Sequence, residues 1–320
     1  MKPLIATVIG DPSGIGPEVC VRALSTGALQ AVGDYVLVGS IDALEDAVRI
    51  AGVDLRFRKV ASAAEARGSN GTVAVLDDGG IARGGYTIGK PAAENGRALY
   101  NWMRTGFGLV EGKEAEGLVI APIDSTSLKL AQISVKAMMD PGDVFLMRFT
   151  GKLRTIPIGE HVLMREVPPM VKKARVLHVI RLIGEHMRRW GFAQPKIAVA
   201  GLNPHCIGEE DAQEIAPAVA AANAEGFDVT GPLSPDTVFR HGMNGRYDVI
   251  VTMYHDQGQI AVKTVGLDEA CTIFVGLPYV RVGIPHGSAM DIAGTGTAQP
   301  GTAATALRAA ATLAGGQGLA

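Results

Sequence analysis

The sequence predicts an α/β fold with mostly parallel strands, for two reasons. Short apolar segments of strand length alternate with longer segments of helical length along the 320 residues. The chain has 41 glycines and only 5% aromatic residues, which suits a protein with many tight turns between strands and helices. At roughly 150 residues per domain, the length corresponds to about two domains or one large domain.

Several apolar segments have the length and β-branched content of strands: residues 4–9, 35–38, 72–76, 117–120, 153–158, 196–200, 248–253 and 271–275. Segments of helical length lie between many of them: residues 17–25, 41–51, 94–111, 170–190 and 213–225. Continuous apolar strands bounded by turns are typical of parallel sheets that helices cover on both faces. Because polar residues follow the segment that ends at Ile120, we expect a domain boundary near Ala121 and Pro122.

Composition and charge exclude several classes of protein. With 47% hydrophobic residues and a mean hydropathy of +0.20, the chain can bury a large core and is not disordered. A net charge of −2 lacks the basic character of nucleic-acid-binding proteins. Cys20, Cys206 and Cys271 are too few and too scattered for a disulfide framework or a CxxC metal site.

The sequence lacks the patterns typical of secretion and of membrane insertion. The apolar residues 4–9 form too short a run for a signal peptide, and they end at Gly10 and Asp11. No stretch reaches the roughly 18 to 20 apolar residues that a spanning helix needs. We therefore expect a soluble cytoplasmic protein that binds neither nucleic acid nor membranes.

Three of the seven histidines closely follow predicted strands: His161, His205 and His255. In open parallel sheets, ligands bind beyond the carboxyl ends of the strands. Neutral imidazoles are common ligands of catalytic divalent metals, and a carboxylate such as Asp256 can orient an imidazole. The alternative is that each histidine only caps the end of its strand. Repetition at three equivalent strand ends favours the metal site.

Two other cationic residues are candidates for catalysis or substrate binding. Lys263 closes an apolar segment and can donate a proton or stabilise an oxyanion, unless it is an ordinary surface lysine. Arg281 can bind a carboxylate through two hydrogen bonds, unless it forms an ordinary surface ion pair. His178 and His186 lie in a helical segment rich in Arg and Lys, and we expect both to be solvated.

Two glycine-rich segments are candidates for cofactor binding. The segment GDPSGIGPE (10–18) joins the first strand to a helix, and its backbone amides around Gly14 can face an anion. Its spacing matches neither the GxGxxG fingerprint nor the P-loop. The segment HGSAMDIAGTG (286–296) packs small residues around one histidine and one aspartate, which permits close approach of a flat ligand. A plain turn is the alternative in each case.

The chain resembles the 4-hydroxythreonine-4-phosphate dehydrogenase (PdxA) family. The motifs that carry the resemblance are GDPSGIGPE (10–18), GLNPH (201–205), MYHDQG (253–258), GLP (276–278) and HGSA (286–289). The resemblance implies two doubly wound α/β domains around a central cleft, similar to isocitrate and isopropylmalate dehydrogenases. We expect residues 1–124 with 290–320 to form the first domain. Residues 125–289 would form the second, which carries the metal ligands and the dimer interface.

The same resemblance implies the cofactors, the partner and the site residues. It implies NAD or NADP, a homodimer with shared active sites, and a divalent metal (Zn, Co, Ni, Mn or Mg) held by histidines from both subunits. The matching ligand positions are His161, His205 and His255. The resemblance also implies catalysis by Lys263 and Asp256. It implies contact with a carboxylate substrate by Lys263, Arg281 and Thr272. The implied cofactor-binding residues are Gly14, His286, Gly287, Ser288, Ala289 and Asp291. Thr272 stands where the family has an asparagine.

One departure from the family bears on the substrate. Between Ile123 and Val144, the chain lacks the Gly-His-Thr-Glu segment whose His and Thr contact the phosphorylated substrate in the biosynthetic enzymes. Because a site that hydrogen-bonds one substrate rejects its analogues, altered contacts predict an altered substrate. The chain looks more similar to the catabolic terephthalate cis-dihydrodiol dehydrogenases, which also lack this pair.

We therefore expect NAD(P)- and metal-dependent oxidation and decarboxylation of a β-hydroxy acid, in particular a non-phosphorylated cis-dihydrodiol carboxylate. One alternative is 4-hydroxythreonine-4-phosphate dehydrogenase activity in pyridoxal phosphate biosynthesis. Another, from a different class, is a catalytically silent small-molecule binding protein.

Overall fold

A computed structural model describes residues 1–68, 71–139, 142–266 and 269–319 of the chain. Its strands are β1 (Leu4–Val8), β2 (Asp34–Val38), β3 (Phe57–Lys59), β4 (Val73–Leu76), β5 (Gly117–Ile120), β6 (Phe145–Thr150), β7 (Leu153–Pro157), β8 (Lys196–Ala200), β9 (Asp228–Leu233), β10 (Val249–Thr252), β11 (Cys271–Val275) and β12 (Val280–Gly283). Its α-helices are α1 (Gly16–Ser25), α2 (Ile41–Ala51), α3 (Ala93–Glu111), α4 (Ser125–Leu130), α5 (Lys136–Met139), α6 (Val167–Met170), α7 (Lys173–Arg189), α8 (Ala216–Ala224), α9 (Val238–Met243), α10 (His255–Gly266) and α11 (Gly301–Ala314).

The chain divides into two compact units. The first unit comprises Met1–Gly142, Pro278–Gly315 and the C-terminal residues from Leu319. Its strands follow the order β3-β4-β2-β1-β5-β12, and every paired neighbour is parallel. All five residues of β1 are buried, as expected for a central strand with helices on both faces.

Local sequence explains where the helices of the first unit begin and how closely they pack. The Ser40 side chain accepts a hydrogen bond from the Ala43 N–H at the start of α2, and Gly52 ends this helix in the left-handed conformation (φ 64°). In α3, a Cβ at Gly96 would lie 2.3 Å from the Ser127 carbonyl oxygen. The absence of a side chain at Gly96 therefore lets α4 approach α3.

The second unit comprises Asp143–Leu277 and Gly316–Gly318. Its strands follow the order β11-β6-β7-β10-β8-β9. β6 runs antiparallel to β7 and to β11, while the pairs β7–β10, β10–β8 and β8–β9 are parallel. The carboxyl ends of β7, β10 and β8 are therefore neighbours at one edge of this sheet. These are the three strands that the candidate histidines follow.

The α/β fold is confirmed: the strands of the first unit are parallel, whereas the sheet of the second unit is mixed. Each of the predicted strands is present within one residue at either end. The sequence prediction missed β3, β6, β9 and β12. The sequence of β6, FLMRFT, includes an arginine, which interrupts the apolar pattern. Strand β9 contains Gly231 and Pro232. These two residues are unfavourable inside a sheet but are tolerated in β9, which is an edge strand.

The predicted helices are present with small shifts. Helix α7 begins at Lys173 instead of residue 170, because Val171 adopts an extended conformation after the short helix α6. A π-helical turn over Asp211–Ile215 precedes α8. Among the described residues, none of the helices has the length and apolarity required to cross a bilayer.

The division into units falls at other positions than the predicted limits of 124 and 290. Asp124 accepts the Ser127 N–H at 2.7 Å and so caps α4, which packs on α3 and belongs to the first unit. Strand β12 pairs with β5 and also belongs to the first unit. The packing of α4 on α3 and the pairing of β12 with β5 join residues far apart in sequence, so the local residue pattern does not reveal them.

Candidate active site

Two of the three predicted metal-binding histidines lie together in the second unit. His161 follows β7, and His255 opens α10 after the adjacent parallel strand β10. Their ring centroids are 5.0 Å apart. Glu160 completes a group in which one potential ligand atom from each residue lies within 4.8 Å of the other two. The adjacency of two parallel strand ends thus brings residues that are far apart in sequence into one group.

A carboxylate contacts the His255 ring. Asp256 Oδ1 lies 2.6 Å from His255 Nδ1, and the Asp256 side chain is largely exposed. With Nδ1 held by this carboxylate, Nε2 carries the free lone pair of the neutral imidazole. Ligating histidines in metal sites show this arrangement, in which the carboxylate fixes both the tautomer and the ring orientation.

Glu160 is held by an arginine that sequence reasoning did not select. Arg148 on β6 donates from Nη1 to Glu160 Oε1 and to the Leu146 carbonyl oxygen, and its side chain is only 11% exposed. Glu160 Oε2 is buried and has no hydrogen-bond partner among the described residues. A buried carboxylate oxygen without a partner costs about 1–3 kcal/mol or more, so this oxygen favours a bound cation. The three donor residues therefore fit a divalent metal.

His205 lies at the same edge of the sheet but outside this group. It follows β8, the neighbour of β10, in a 3₁₀ turn where its backbone is left-handed (φ 52°). The ring is exposed, and its Nδ1 lies 3.4 Å from the Ser234 hydroxyl. The structure therefore brings together two of the three predicted histidine ligands and adds Glu160. The assignment of His205 as a ligand stays a prediction.

A row of polar side chains crosses the sheet toward this group. Thr272 on β11 pairs with Arg148 on β6, which pairs in turn with Thr155 on β7. Residues paired across antiparallel strands share one face of the sheet. Thr272 is buried at 9% exposure, so its predicted contact with substrate requires access from the strand end. Gly258 of α10 covers Thr155, and a Cβ at this glycine would lie 2.8 Å from the threonine hydroxyl.

Lys263 lies on α10, eight residues after His255. Because an α-helix rises about 1.5 Å per residue, the two Cα atoms are separated by roughly 12 Å along the helix axis. The Lys263 side chain is exposed, and it forms no hydrogen bond or ion pair with the described residues. It is free to reach a ligand, and its catalytic role stays a prediction.

Arg281 in the first unit is buried instead of exposed. Its side chain is 1% exposed on β12, and its guanidinium lies 4.9 Å from the centroid of the Phe107 ring. Nη1 donates to the Met138 carbonyl oxygen at 3.2 Å, and Nη2 lies 3.0 Å from the Met139 sulfur. Burial lowers the pKa of Arg281 to about 10, so the group remains charged at neutral pH. Arg281 is therefore not a surface residue, and Met138 and Met139 of α5 contact its guanidinium.

The predicted cofactor-binding segment packs against the first glycine-rich loop within the first unit. The Ser288 hydroxyl donates to Asp124 Oδ2 at 2.8 Å, and its carbonyl oxygen accepts the Ile15 N–H at 2.9 Å. A Cβ at Gly14 would lie 2.8 Å from Ser288, so this contact requires glycine. His286, Gly287 and Asp291 are exposed, while Ala289 is half-buried with a left-handed backbone. The exposed residues are accessible to a cofactor.

A buried polar cluster holds the first glycine-rich loop. Asp11 Oδ1 accepts the Ser13 N–H at 2.8 Å and the Ser13 hydroxyl at 2.6 Å, and Asn95 donates to that hydroxyl at 2.9 Å. Burial raises the pKa of the Asp11 carboxyl above its usual range, although hydrogen bonds from Ser127 and Ser13 act in the opposite direction. The cluster fixes the loop beyond the carboxyl end of β1.

His186 is buried, so the expectation of a solvated side chain is wrong. Its Nε2 accepts hydrogen bonds from the Gly276 N–H at 3.1 Å and from Arg189 at 2.7 Å, and Nδ1 donates to the Leu182 carbonyl oxygen at 2.8 Å. Burial lowers the pKa of His186, and the Arg189 guanidinium lowers it further. The neighbouring Arg and Lys residues suggested a surface helix, but His186 lies on the buried face of α7. His178 is half-exposed and pairs with Asp143, as expected for a surface position.

The chain is similar to known proteins over nearly its full length. Residues 31–310 match the family model described as "Pyridoxal phosphate biosynthetic protein PdxA". A relative from Novosphingobium aromaticivorans, named a putative 4-hydroxythreonine-4-phosphate dehydrogenase, is 40% identical over 99% of this chain and 97% of its own length. The D-threonate 4-phosphate dehydrogenase of Salmonella typhimurium is 33% identical over 97% of this chain and 98% of its own length.

Solved structures show the same relationship. The crystal structure of a 4-hydroxythreonine-4-phosphate dehydrogenase from Burkholderia phymatum matches with a TM-score of 0.86 and 31% identity over 98% of each chain. A terephthalate 1,2-cis-dihydrodiol dehydrogenase from Burkholderia xenovorans matches with a TM-score of 0.71 and 25% identity, over 97% of this chain and 98% of its own. The expected closer similarity to the dihydrodiol enzymes therefore rests only on a more distant neighbour.

Proposed function

Because this chain belongs to the PdxA family, we propose that it is a nicotinamide- and metal-dependent dehydrogenase that oxidises a phosphorylated hydroxy acid. The observation that carries this proposal is the proximity of His161 and His255, whose ring centroids lie 5.0 Å apart at adjacent strand ends. Membership of a family of dehydrogenases supports the reaction class. The donor set supports a metal-assisted oxidation.

The names of the relatives define the substrate class that we propose. 4-Hydroxythreonine 4-phosphate and D-threonate 4-phosphate are both four-carbon acids with a carboxylate at C1, a hydroxyl at C3 and a phosphate on C4. They differ at C2, which carries an amino group in the first and a hydroxyl in the second. The shared feature is a hydroxyl β to a carboxylate, and we propose this four-carbon 4-phosphate as the substrate in place of a dihydrodiol.

The reaction that we propose has two steps. NAD or NADP would accept a hydride from C3, and the C3 hydroxyl would release its proton to solvent. The resulting β-keto acid then loses CO₂, and the electron pair of the broken C1–C2 bond forms an enolate that is protonated at C2. His161 and His255 would hold a divalent cation, with His205 as a further ligand. When bound, the cation would supply Lewis acidity at the substrate oxygen.

Other side chains would position the reactants. Asp256 holds the His255 ring through its contact with Nδ1. We propose that Lys263 supplies the proton at C2 and that Thr272 and Arg281 contact the substrate. For Arg281, such a contact requires Met138 and Met139 to move from the guanidinium. The exposed residues His286, Gly287 and Asp291 would contact the adenosine end of the cofactor, together with Ser288, Ala289 and Gly14.

We propose that a second copy of the chain completes the site. Large apolar side chains are exposed within three residues after two of the candidate ligands: Val162, Leu163 and Met164 follow His161, and Ile207 lies two residues after His205. Contiguous exposed apolar surface marks interaction sites, and we propose that these residues contribute to such a surface. A homodimer would cover these residues and could bring a partner's strand-end ligand to the site.

A second candidate function is oxidation of a cis-dihydrodiol carboxylate. The observation that favours it is the sequence between Ile123 and Val144, which lacks the family's Gly-His-Thr-Glu segment. In the structure, residues of this region form α5, which covers Arg281. Loss of CO₂ from an oxidised dihydrodiol carboxylate restores an aromatic ring, which would drive that reaction.

Parallel assays separate these functions. NADH and NADPH formation would be followed with 4-hydroxythreonine 4-phosphate, D-threonate 4-phosphate and a cis-dihydrodiol carboxylate, each with and without Mg²⁺, Mn²⁺, Co²⁺, Ni²⁺ or Zn²⁺. We expect metal-dependent turnover of a four-carbon 4-phosphate. Turnover of the dihydrodiol alone would support the second candidate. Tight binding of the phosphorylated acids, with no NAD(P)H from any substrate, would indicate a catalytically silent binding protein.

A further inference from the structure

We propose that Glu160 is itself a ligand of the divalent cation, so that one chain supplies two imidazoles and one carboxylate. This inference rests on the metal dependence in the proposed function and goes beyond the three histidines that the family resemblance implies. Glu160 precedes His161 directly at the end of β7. The two side chains nevertheless reach the same group of potential ligand atoms as His255.

The spacing of the group is close to that of a metal site. Metal–ligand bonds of about 2.1 Å in a tetrahedral arrangement place ligand atoms roughly 3.4 Å apart. The candidate atoms of Glu160, His161 and His255 lie within 4.8 Å of one another. Side-chain adjustments of roughly 1.5 Å or less, by this geometry, would bring all three atoms to bonding distance.

The surroundings of Glu160 favour ligation over a purely structural ion pair. Arg148 holds only Oε1, while Oε2 is buried and has no partner in the described part of the chain. The Arg148 contact fixes the orientation of the carboxylate, as outer hydrogen bonds do for ligands in metal sites. A purely structural pair has no need to leave the second oxygen buried and unpaired.

The donor set has a consequence for the reaction. Two imidazoles and a carboxylate form three-ligand sites that leave coordination positions open for substrate. The carboxylate also adds a negative charge and a hard oxygen donor, which suits Mn²⁺, Co²⁺ or Zn²⁺. A site of this kind would draw three of its ligands from one chain.

The test is a metal titration that needs no substrate. Apo-protein would be titrated with Co²⁺, and the dissociation constant and visible absorption spectrum would be recorded for wild type, Glu160→Gln and Glu225→Gln. Glu225 is a matched control, because it is also an ion-paired glutamate but pairs with Arg181 at an exposed position. Loss of a residue that only orients a metal ligand costs about 10–100-fold in affinity, so loss of a direct ligand should cost at least 10-fold.

The expected result is a Co²⁺ dissociation constant raised at least about 10-fold in Glu160→Gln, with an altered spectrum, and wild-type behaviour in Glu225→Gln. Glu160→Asp keeps the charge but places the carboxylate oxygens farther from the metal, so we expect an intermediate loss of Co²⁺ affinity. This variant also provides the test if Glu160→Gln fails to fold. Wild-type affinity and spectrum in the Glu160 variants would overturn the inference and leave the proposed function intact. Absence of stoichiometric Co²⁺ binding by the wild type would overturn both.

Discussion

At the scale of single residues, the contacts around the strand-end histidines lead to a prediction for Asp256. Asp256→Asn keeps the shape of the side chain but removes the charge that holds His255 Nδ1. We expect metal affinity to fall about 10- to 100-fold, because the ring loses its fixed tautomer and orientation. Isothermal titration with Co²⁺ measures this change.

Asp143→Asn is the matched control for this prediction. Asp143 also pairs with a histidine, His178, but this pair lies outside the group of potential metal ligands. We expect wild-type metal affinity in this variant. Equal losses in both variants would show that a general change in charge, and not the orientation of His255, determines the affinity.

His186 predicts the pH dependence of stability. The pKa of His186 is lowered in the folded protein. As the pH falls below the ordinary histidine pKa of about 6.5, the unfolded chain therefore binds more protons at this residue than the folded chain does. Stability from this residue is therefore complete above that pH and is lost as the pH falls through it. We expect the urea midpoint of the wild type to drop between pH 7.5 and 5.5, values on either side of about 6.5.

The variant His186→Leu isolates this contribution. It removes the titrating ring and leaves the Gly276 N–H without its acceptor, which should cost about 1–3 kcal/mol at pH near 7.5. Its urea midpoint should then depend less on pH than that of the wild type. An unchanged pH slope in His186→Leu would contradict the assignment of the effect to this buried ring.

At the scale of secondary-structure elements, two of the three glycines of α3, Gly96 and Gly108, should respond in opposite directions to alanine. At Gly96, a Cβ would lie 2.3 Å from the Ser127 carbonyl oxygen, so α4 would have to shift, at a cost of about 1–3 kcal/mol. At exposed Gly108, a Cβ would meet no atom within 4 Å. Gly108→Ala should therefore stabilise the protein by about 0.5–1 kcal/mol through helix propensity.

Urea denaturation of both variants measures this difference in the free energy of unfolding. Because both substitutions add the same methyl group to the same helix, their helix propensities match and only the packing differs. A stabilising Gly96→Ala would show that α3 and α4 do not approach as closely as the structure indicates.

Much of the sheet could be predicted from sequence, because its strands are continuous apolar runs. β5 and β8 were predicted with the bounds that the structure shows. The sequence does not predict β6, because Arg148 interrupts its apolar pattern. In the structure, Arg148 pairs with Thr272 and Thr155 on the neighbouring strands, and this pairing cannot be inferred from the local sequence. The antiparallel direction of β6 was missed for the same reason.

The candidate site shows the same limit. Placement of His161 and His255 beyond strand ends followed from the periodicity, whereas the adjacency of β7 and β10 depends on the order of strands in the sheet. Glu160 was overlooked although it directly precedes His161 at a selected strand end. Arg281 contacts residues of α5, a short helix that the sequence does not signal.

At the scale of the whole molecule, the exposed apolar residues beside the candidate ligands predict a dimer. The chain has a mass of 33.3 kDa, so a homodimer has twice this value. Leu163 is 52% and Ile207 is 81% exposed in the single chain. The double variant Leu163→Asp/Ile207→Asp should shift the mass in solution to that of the single chain and lower metal-dependent turnover, because charges in an apolar interface are costly.

Sedimentation velocity with wild type and this double variant checks the prediction. Ile260→Asp alters another exposed apolar residue, on α10, and shows whether the interface extends to that helix. A wild type that sediments as a single chain at micromolar concentration would contradict the proposed shared site.

The central claim is that the strand-end histidines bind the divalent cation on which dehydrogenation depends. Its most direct test is the stoichiometry of Co²⁺ binding together with NAD(P)H formation in wild type, His161→Ala, His205→Ala, His255→Ala and the control His178→Ala. We expect stoichiometric binding and turnover in the wild type and the control, and loss of both with an intact fold in His161→Ala and His255→Ala. A His255→Ala variant that retains stoichiometric Co²⁺ and full turnover would contradict the claim.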